Sequence, residues 1–440
     1  MTPHPARALT RDTALNLVGQ LAPLAVAFMA LPVTISGLGS DRFGILGLAW
    51  AILGSAGMVD LALGRAVTKF ASSALARDDR RAAAVATLNA ARAQVILGFA
   101  GALSLAALTP WLVNSILRVP IELAGETRAV FWLVAAAIPA VLVTGCFRGL
   151  LEALGRFDLV NLQRCTYGSL TFAIPWLGVV LGWNLTAITG MLVAARFASA
   201  ATHATAAATV LPALRRAHAG KRMSEVVLFG GHVTAANLIL SLHRLTDQFL
   251  VGAFSTLAAV GQFSVASEIA LRLAVIPSSV IGASFPALAA ATTSRDEAAQ
   301  RSITRRTASF LLLLMGPPCA VLVLAAHPIL EWWLGEEMAA AAATPLQLLV
   351  VGAFVSSFAG IAVATLQASG KPEVVTRLRL WFAAPFFLVQ LWTVATWGIV
   401  GAAWGVLVRS TVETAIMIVA ARLAAEDGAM ASNGMSRPVP

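Results

Sequence analysis

Residues 229–277 read FGGHVTAANLILSLHRLTDQFLVGAFSTLAAVGQFSVASEIALRLAVIP. Most of this stretch is apolar enough to lie in a bilayer. It nevertheless carries His232, Asn237, His243, Arg244, Asp247 and Gln248, then Glu268 and Arg272. A charged side chain at the centre of a spanning helix costs roughly 2.5–3.5 kcal/mol on insertion scales. A chain that accepts this cost repeatedly turns those groups inward, onto water or a polar ligand. The stretch therefore reads as two spanning helices lining a cavity, and the rest of the chain as the frame that opens the cavity to either side.

Composition carries the same argument outward. The 440 residues are 58% hydrophobic and only 12% charged, with mean hydropathy +0.82. A soluble domain is about 25% charged, so the fold class is all-α and polytopic. At about 20–25 residues per span the length fits about twelve transmembrane helices. The apolar runs are continuous, which excludes the alternation of a spanning β-barrel. Net charge is +10. In a soluble protein that points to nucleic acid; in a membrane chain the positive-inside rule accounts for it, and no nucleic-acid partner is expected. Cys146, Cys165 and Cys319 lack metal-ligand spacing and read as inert packing residues, with no disulfide, metal or cofactor implied. The apolar run after Arg7 and Arg11 is span-length without a processing site, so it reads as the first helix and not as a cleaved signal.

Spans are expected at about 14–35, 43–64, 93–117, 129–150, 166–183 and 188–211, then at 229–251, 260–288, 307–330, 344–366, 380–397 and 400–421. Residues 1–211 make an N-terminal six-helix lobe, 212–225 a basic cytoplasmic linker, 226–422 a C-terminal six-helix lobe, and 423–440 a polar tail expected to be disordered. Of the 31 Lys and Arg, this map puts only Arg42, Arg118 and Arg128 in outside loops. Arg148, Arg196, Arg244, Arg272 and Arg409 lie in or at the ends of spans, and all the others fall on the inside. Both termini are therefore expected in the cytoplasm. The halves also echo each other. LEALGRFDLVNLQR from Leu151 aligns without gaps with LQASGKPEVVTRLR from Leu366, sharing Leu, Ala, Gly, a base, an acid, Val and a final Arg. Asn16 with Asn237, and RFGIL at Arg42 with QFSVA at Gln262, are weaker echoes. Six helices per half return the chain to the same side, so the repeat is parallel, a transporter architecture.

Several in-span charges sit one turn from an opposite partner: Glu268 and Arg272, Arg409 and Glu413, Arg148 and Glu152. Such a pair either neutralises itself and glues helices, or lends its arginine to an anionic substrate. Arg196 and Arg244 have no carboxylate three or four residues away, which favours the ligand role for them. Guanidinium suits phosphate because it is planar, always charged, and binds two oxygens at once. Arg65 and Lys69, after Asp60, either hold a diphosphate at the inner leaflet or form an ordinary basic flank. Ion coupling needs a group that changes charge; the in-span carboxylates are Asp60, Asp247, Glu268 and Glu413, and His243 lies four residues from Asp247. Prolines within spans, such as Pro23, Pro139, Pro277 and Pro385, are expected to kink helices.

TALNLVGQLAPL, LGSDRFGILGLA and VDLALGRAVTKFAS resemble the opening of the Wzx-type polysaccharide-repeat flippases, and LTDQFLVGAFSTLAAVGQFSVASEIALRL resembles the start of their second half. That family belongs to the superfamily that also holds MATE multidrug exporters and lipid II flippases. The resemblance implies two six-helix lobes, alternating access, and a bacterial inner membrane. It implies a substrate too: an undecaprenyl-diphosphate-linked oligosaccharide turned from the inner to the outer leaflet, with polysaccharide-assembly proteins as partners. Cavities in the family are lined chiefly by spans one, two, seven and eight. Here those spans hold Asn16, Gln20, Asp60, Asn237, His243, Arg244, Asp247, Glu268 and Arg272.

Two rivals remain at this point. A MATE-like drug or cation antiporter wants a carboxylate-dominated, aromatic-rich cavity, whereas here arginines match the acids and Tyr167 is the one tyrosine. A membrane glycan polymerase or glycosyltransferase wants acidic residues on a large outer loop. Glu331, Glu336 and Glu337 are the acidic cluster there, beside Trp332 and Trp333, and they also read as an interfacial loop with an aromatic belt. No catalytic residue is expected.

Overall fold

A computed structural model describes residues 5–217, 241–294 and 296–432. Among these the chain is helical. α1 spans Pro5–Leu75, α2 Arg80–Trp111, α3 Ile121–Ala153, α4 Phe157–Val180, α5 Leu185–Val210 and α6 Ala213–Arg216. α7 covers 241–254. α8 spans Leu257–Leu273, α9 Val275–Thr293, α10 Glu297–Leu324, α11 Ala326–Leu334, α12 Glu336–Ala368 and α13 Pro372–Ser432. Eight stretches of the described residues are long and apolar enough to cross a membrane. The chain is an all-α polytopic membrane protein, as composition requires.

Two of the longest helices are each two spans joined at a glycine. α1 breaks at Gly39 (φ 74°, ψ 163°) and α13 at Gly398 (φ 55°, ψ −130°), in conformations closed to most side chains. In α13 the chain folds back at that point: Gln390 Nε2 donates to the Ala402 carbonyl at 3.1 Å, and the backbone at Gly401 packs on the Thr393 carbonyl with no room for a Cβ. Elsewhere the expected spans shift. The expected span at 260–288 is one apolar stretch, Leu257–Thr292, broken at Ala274 between α8 and α9, where Pro277 lacks the N–H that would bond the Leu273 carbonyl. The expected span at 307–330 stops at Leu324, and α11 follows as a separate short helix. α13 stays helical to Ser432, ten residues into the stretch set aside as tail.

The internal echo has a structural counterpart. After α3, the Leu154, Gly155 and Arg156 amides donate to the Leu150, Glu152 and Leu151 carbonyls. After α12, the Ser369, Gly370 and Lys371 amides donate to the Thr365, Gln367 and Leu366 carbonyls, the same pattern bond for bond. Gly155 (φ 70°) and Gly370 (φ 72°) supply the left-handed residue that such a helix stop requires. The caps repeat as well. Asp79 accepts from the Ala82 amide at 2.8 Å to start α2, and Asp296 accepts from the Ala299 amide at 2.9 Å to start α10.

Contacts group the chain into two compact units, Met1–Gly261 and Gln262–Pro440. The sequence halves divide at 212–225 instead. A repeat boundary and a packing boundary are different quantities, and α7 packs within the first unit: its Phe249 meets Phe131 of α3 edge-on at 6.2 Å. Within that unit α1 and α3 cross where Gly64 meets Gly145 and Gly149. A Cβ on Gly64 would lie 2.9 Å from the Gly145 carbonyl oxygen, and Thr68 Oγ1 sits 3.1 Å from both the Gly149 and Gly64 carbonyl oxygens. Small residues permit this close backbone approach, which drives helix association in lipid where no hydrophobic effect operates. Below the crossing lies a core of Val67, Ala71, Ala84, Cys146, Leu150 and Leu211. In the second unit Leu366, Val375 and Met417 pack together where α12 meets both arms of α13.

Candidate functional site

The polar groups of the spans fall into three neighbourhoods. On α7, His243 and Arg244 are half-buried while Asp247 and Gln248 are buried. None of His243, Arg244 or Asp247 stands without a partner. Ser55 Oγ donates to the Ser241 carbonyl at 3.4 Å, which fastens the second arm of α1 to the start of α7. Ser241 Oγ, Gln248 Oε1 and Trp50 Nε1 are buried without a hydrogen-bond partner among the described residues. An unmet buried polar atom costs about 1–3 kcal/mol. Ser241 and Gln248 are about two turns apart on α7, whereas Trp50 packs edge-on against Phe172 of α4 at 5.3 Å. Gln20 of α1 is half-buried and also engaged.

The second neighbourhood lies between α4 and α5. Arg196 Nη2 donates to Thr171 Oγ1 at 3.1 Å, and Thr171 Oγ1 donates to the Tyr167 carbonyl at 3.0 Å. Thr202 Oγ1 lies 3.1 Å from the Tyr167 hydroxyl. The Thr171 hydroxyl orients the guanidinium and, unlike a carboxylate, brings no opposite charge to it. The sequence singled out Arg196 but not Thr171, Tyr167 or Thr202, whose roles need the helix pairing. At the foot of the first unit Arg65 is exposed beside the glycine crossing, and Arg148 Nε approaches Glu152 Oε1 at 3.9 Å, as their spacing predicts. On the loop before α4, Arg156 donates to both Asp158 oxygens at 2.9 and 2.8 Å, and this bond holds the Asp158 carboxyl below its ordinary range.

The third neighbourhood is in the second unit. Arg272 Nη2 bonds Glu268 Oε2 at 3.0 Å, the pairing read from the sequence. Arg272 stands in the last turn of α8, where the free carbonyls left by the break favour a cation. Glu413 has a partner that its spacing does not reveal. Its Oε1 accepts from Arg379 Nε at 2.9 Å, across the two arms of α13, from 34 residues away. The bent-back hairpin decides this, because it brings the repeated motif's final arginine alongside. The side chains of Asn16 and Asp60, and Asn237 and His232 altogether, lie outside the described residues. His327 lies 3.7 Å from Glu331 and 3.8 Å from Glu336, all exposed, on α11 and α12 where the sequence suggested a loop.

Residues 9–292 match the family model described as polysaccharide biosynthesis protein. The chain belongs to that family. A MatE family model also matches residues 233–386. The chain is 25% identical over 402 residues to the putative O-antigen transporter of Shigella flexneri, covering 91% of this chain and 95% of that one. Among solved structures, it superposes on a multidrug resistance MATE family transporter of the MOP superfamily in its inward-facing conformation with TM-score 0.79 and 14% identity, over 93% of this chain and 98% of the other. A MOP superfamily transporter from Pyrococcus furiosus gives TM-score 0.69 and 14% identity, over 96% of each chain. At that identity the structural likeness establishes the MATE-like fold and nothing about substrate.

Proposed function

We propose that this protein is a flippase. It turns an undecaprenyl-diphosphate-linked oligosaccharide from the inner to the outer leaflet of the bacterial inner membrane by alternating access, with both termini in the cytoplasm. The observation that carries this is the match to a putative O-antigen transporter along nearly the full length of both chains. Arginines at membrane depth support it. Arg196, Arg244 and Arg272 suit a diphosphate and acidic sugars, while Asn16, Gln20, Asn237 and His243 suit glycan hydroxyls. Arg65 would meet the headgroup at the inner leaflet. Nothing is cleaved, so the protein is a transporter and not an enzyme. If a proton or sodium ion drives it, Asp60, Asp247 and Glu268 are the carriers to test. Glu413, bound to Arg379, serves structure in this reading.

The test is complementation of a bacterial strain lacking its own O-antigen flippase but making the matching glycan. Wild type restores surface polysaccharide, and R196A, R244A and R272A insert normally yet lose display. Full display by all three variants would refute the site, and no display by the wild type with its matched glycan would refute the function. A fall in display without change in drug tolerance separates flipping from MATE-like export.

A further inference from the structure

α10 carries a second cationic feature that the translocation reading does not use. Its side facing the protein buries Thr307, Leu311 and Met315, with Thr307 Oγ1 donating to Ser284 Oγ of α9 at 3.0 Å. On the opposite side Arg301, Arg305 and Arg306 line an open surface hollow of about 750 Å³ together with Ser302 and Ser309. Phe310 and Leu313 line it as well. Phe310 and Leu313 are 55% and 68% exposed, large apolar side chains left open to whatever surrounds the helix.

The order of these groups along the helix is informative. At 1.5 Å per residue, Arg305 and Leu313 stand about 12 Å apart along the axis, on the scale of one leaflet's half of the roughly 30 Å hydrocarbon core. Cations and hydroxyls occupy the end nearest the basic flank, and apolar side chains the end within the apolar run. That is the profile of a phospholipid: an anionic headgroup above an acyl chain. Arginines at i, i+4 and i+5 can grip one phosphate from two sides with bidentate bonds, which a diffuse positive-inside flank does not provide.

We infer that the hollow on α10 is a binding site for the phosphate headgroup of an anionic phospholipid of the surrounding bilayer, held by Arg301, Arg305 and Arg306 with its acyl chain along Phe310 and Leu313. The site is structural or regulatory and uses none of the groups on α4, α5, α7 and α8 named above. A lipid-linked diphosphate shares the headgroup chemistry, so the experiment must tell the two apart.

Full-length protein in mild detergent is titrated with phosphatidylglycerol, phosphatidylcholine, undecaprenyl diphosphate or inorganic phosphate, and bound copies are counted by native mass spectrometry. The comparison is between wild type, R301Q/R305Q/R306Q, and a charge-matched control, R77Q/R80Q/R81Q. Phosphatidylglycerol should bind wild type and control alike, and the α10 variant roughly a hundredfold more weakly, from three arginines near an anionic headgroup. Phosphatidylcholine and inorganic phosphate should compete poorly. Equal loss in both triple variants, or no loss in either, overturns the site. Retention of undecaprenyl diphosphate but not phosphatidylglycerol overturns the phospholipid assignment. The Phe310→Ser/Leu313→Ser variant tests the acyl shelf with the arginines intact. It should weaken phosphatidylglycerol without affecting a short-chain analogue, and equal binding of both would refute the shelf.

Discussion

Replacing Glu413 tests whether its carboxylate is a clamp or an ion carrier. It accepts from Arg379 at 2.9 Å, and the two side chains are 19% and 18% exposed. Breaking a fully buried pair by removing one partner costs about 3–5 kcal/mol, because the other charge is left uncompensated. A fifth of residual exposure lets water relieve part of that, so E413Q and R379Q should each cost about 2–3 kcal/mol. The double variant R379Q/E413Q removes both charges and should cost no more than either single change, giving a coupling of about 2 kcal/mol, some thirtyfold in the folded ratio. Reversible unfolding in mixed micelles measures the cycle, and surface polysaccharide in the complemented strain measures function. A clamp predicts a double variant that is both folded and active. Additive single effects, with coupling below about 0.5 kcal/mol, would refute the clamp energetically, and a stable but inactive double variant would return Glu413 to the coupling candidates.

Further outcomes follow from the packing. G149A should lose at least about 2 kcal/mol, since a methyl there meets the Gly64 backbone, whereas G125A, with open space around it, should be neutral or slightly stabilising from helix propensity; the same micelle assay reads both. Glu126 accepts from Arg42 Nε at 2.8 Å with one oxygen and from the Leu185 amide at 3.0 Å with the other, tying the start of α5 to the second arm of α1. E126A should therefore cost about 1–3 kcal/mol and E126Q less, because the amide oxygen can still accept from Leu185. T171V removes the hydroxyl that orients Arg196 and should lower polysaccharide display while leaving expression unchanged, whereas T171S should restore it. Unchanged display in T171V would show that Arg196 needs no orientation by Thr171.

The sequence by itself determined the class of solvent and the internal repeat. Apolar run length answers only to bilayer thickness, and a Gly-base-acid helix stop works through local backbone geometry, so LEALGRFD and LQASGKPE dictate matching turns without help from the rest of the chain. Pairings one helical turn apart, such as Glu268 with Arg272, were legible for the same reason: helix geometry alone brings them together. Helix pairing decided everything that joins residues distant in sequence. Glu413 bonds Arg379 because Gly398 folds α13 back on itself, and Arg196 reaches Thr171 because α4 lies beside α5. In lipid such contacts are chosen by close backbone fit and polar satisfaction rather than by hydrophobicity. A hydropathy pattern, the strongest signal a membrane sequence offers, carries no record of them.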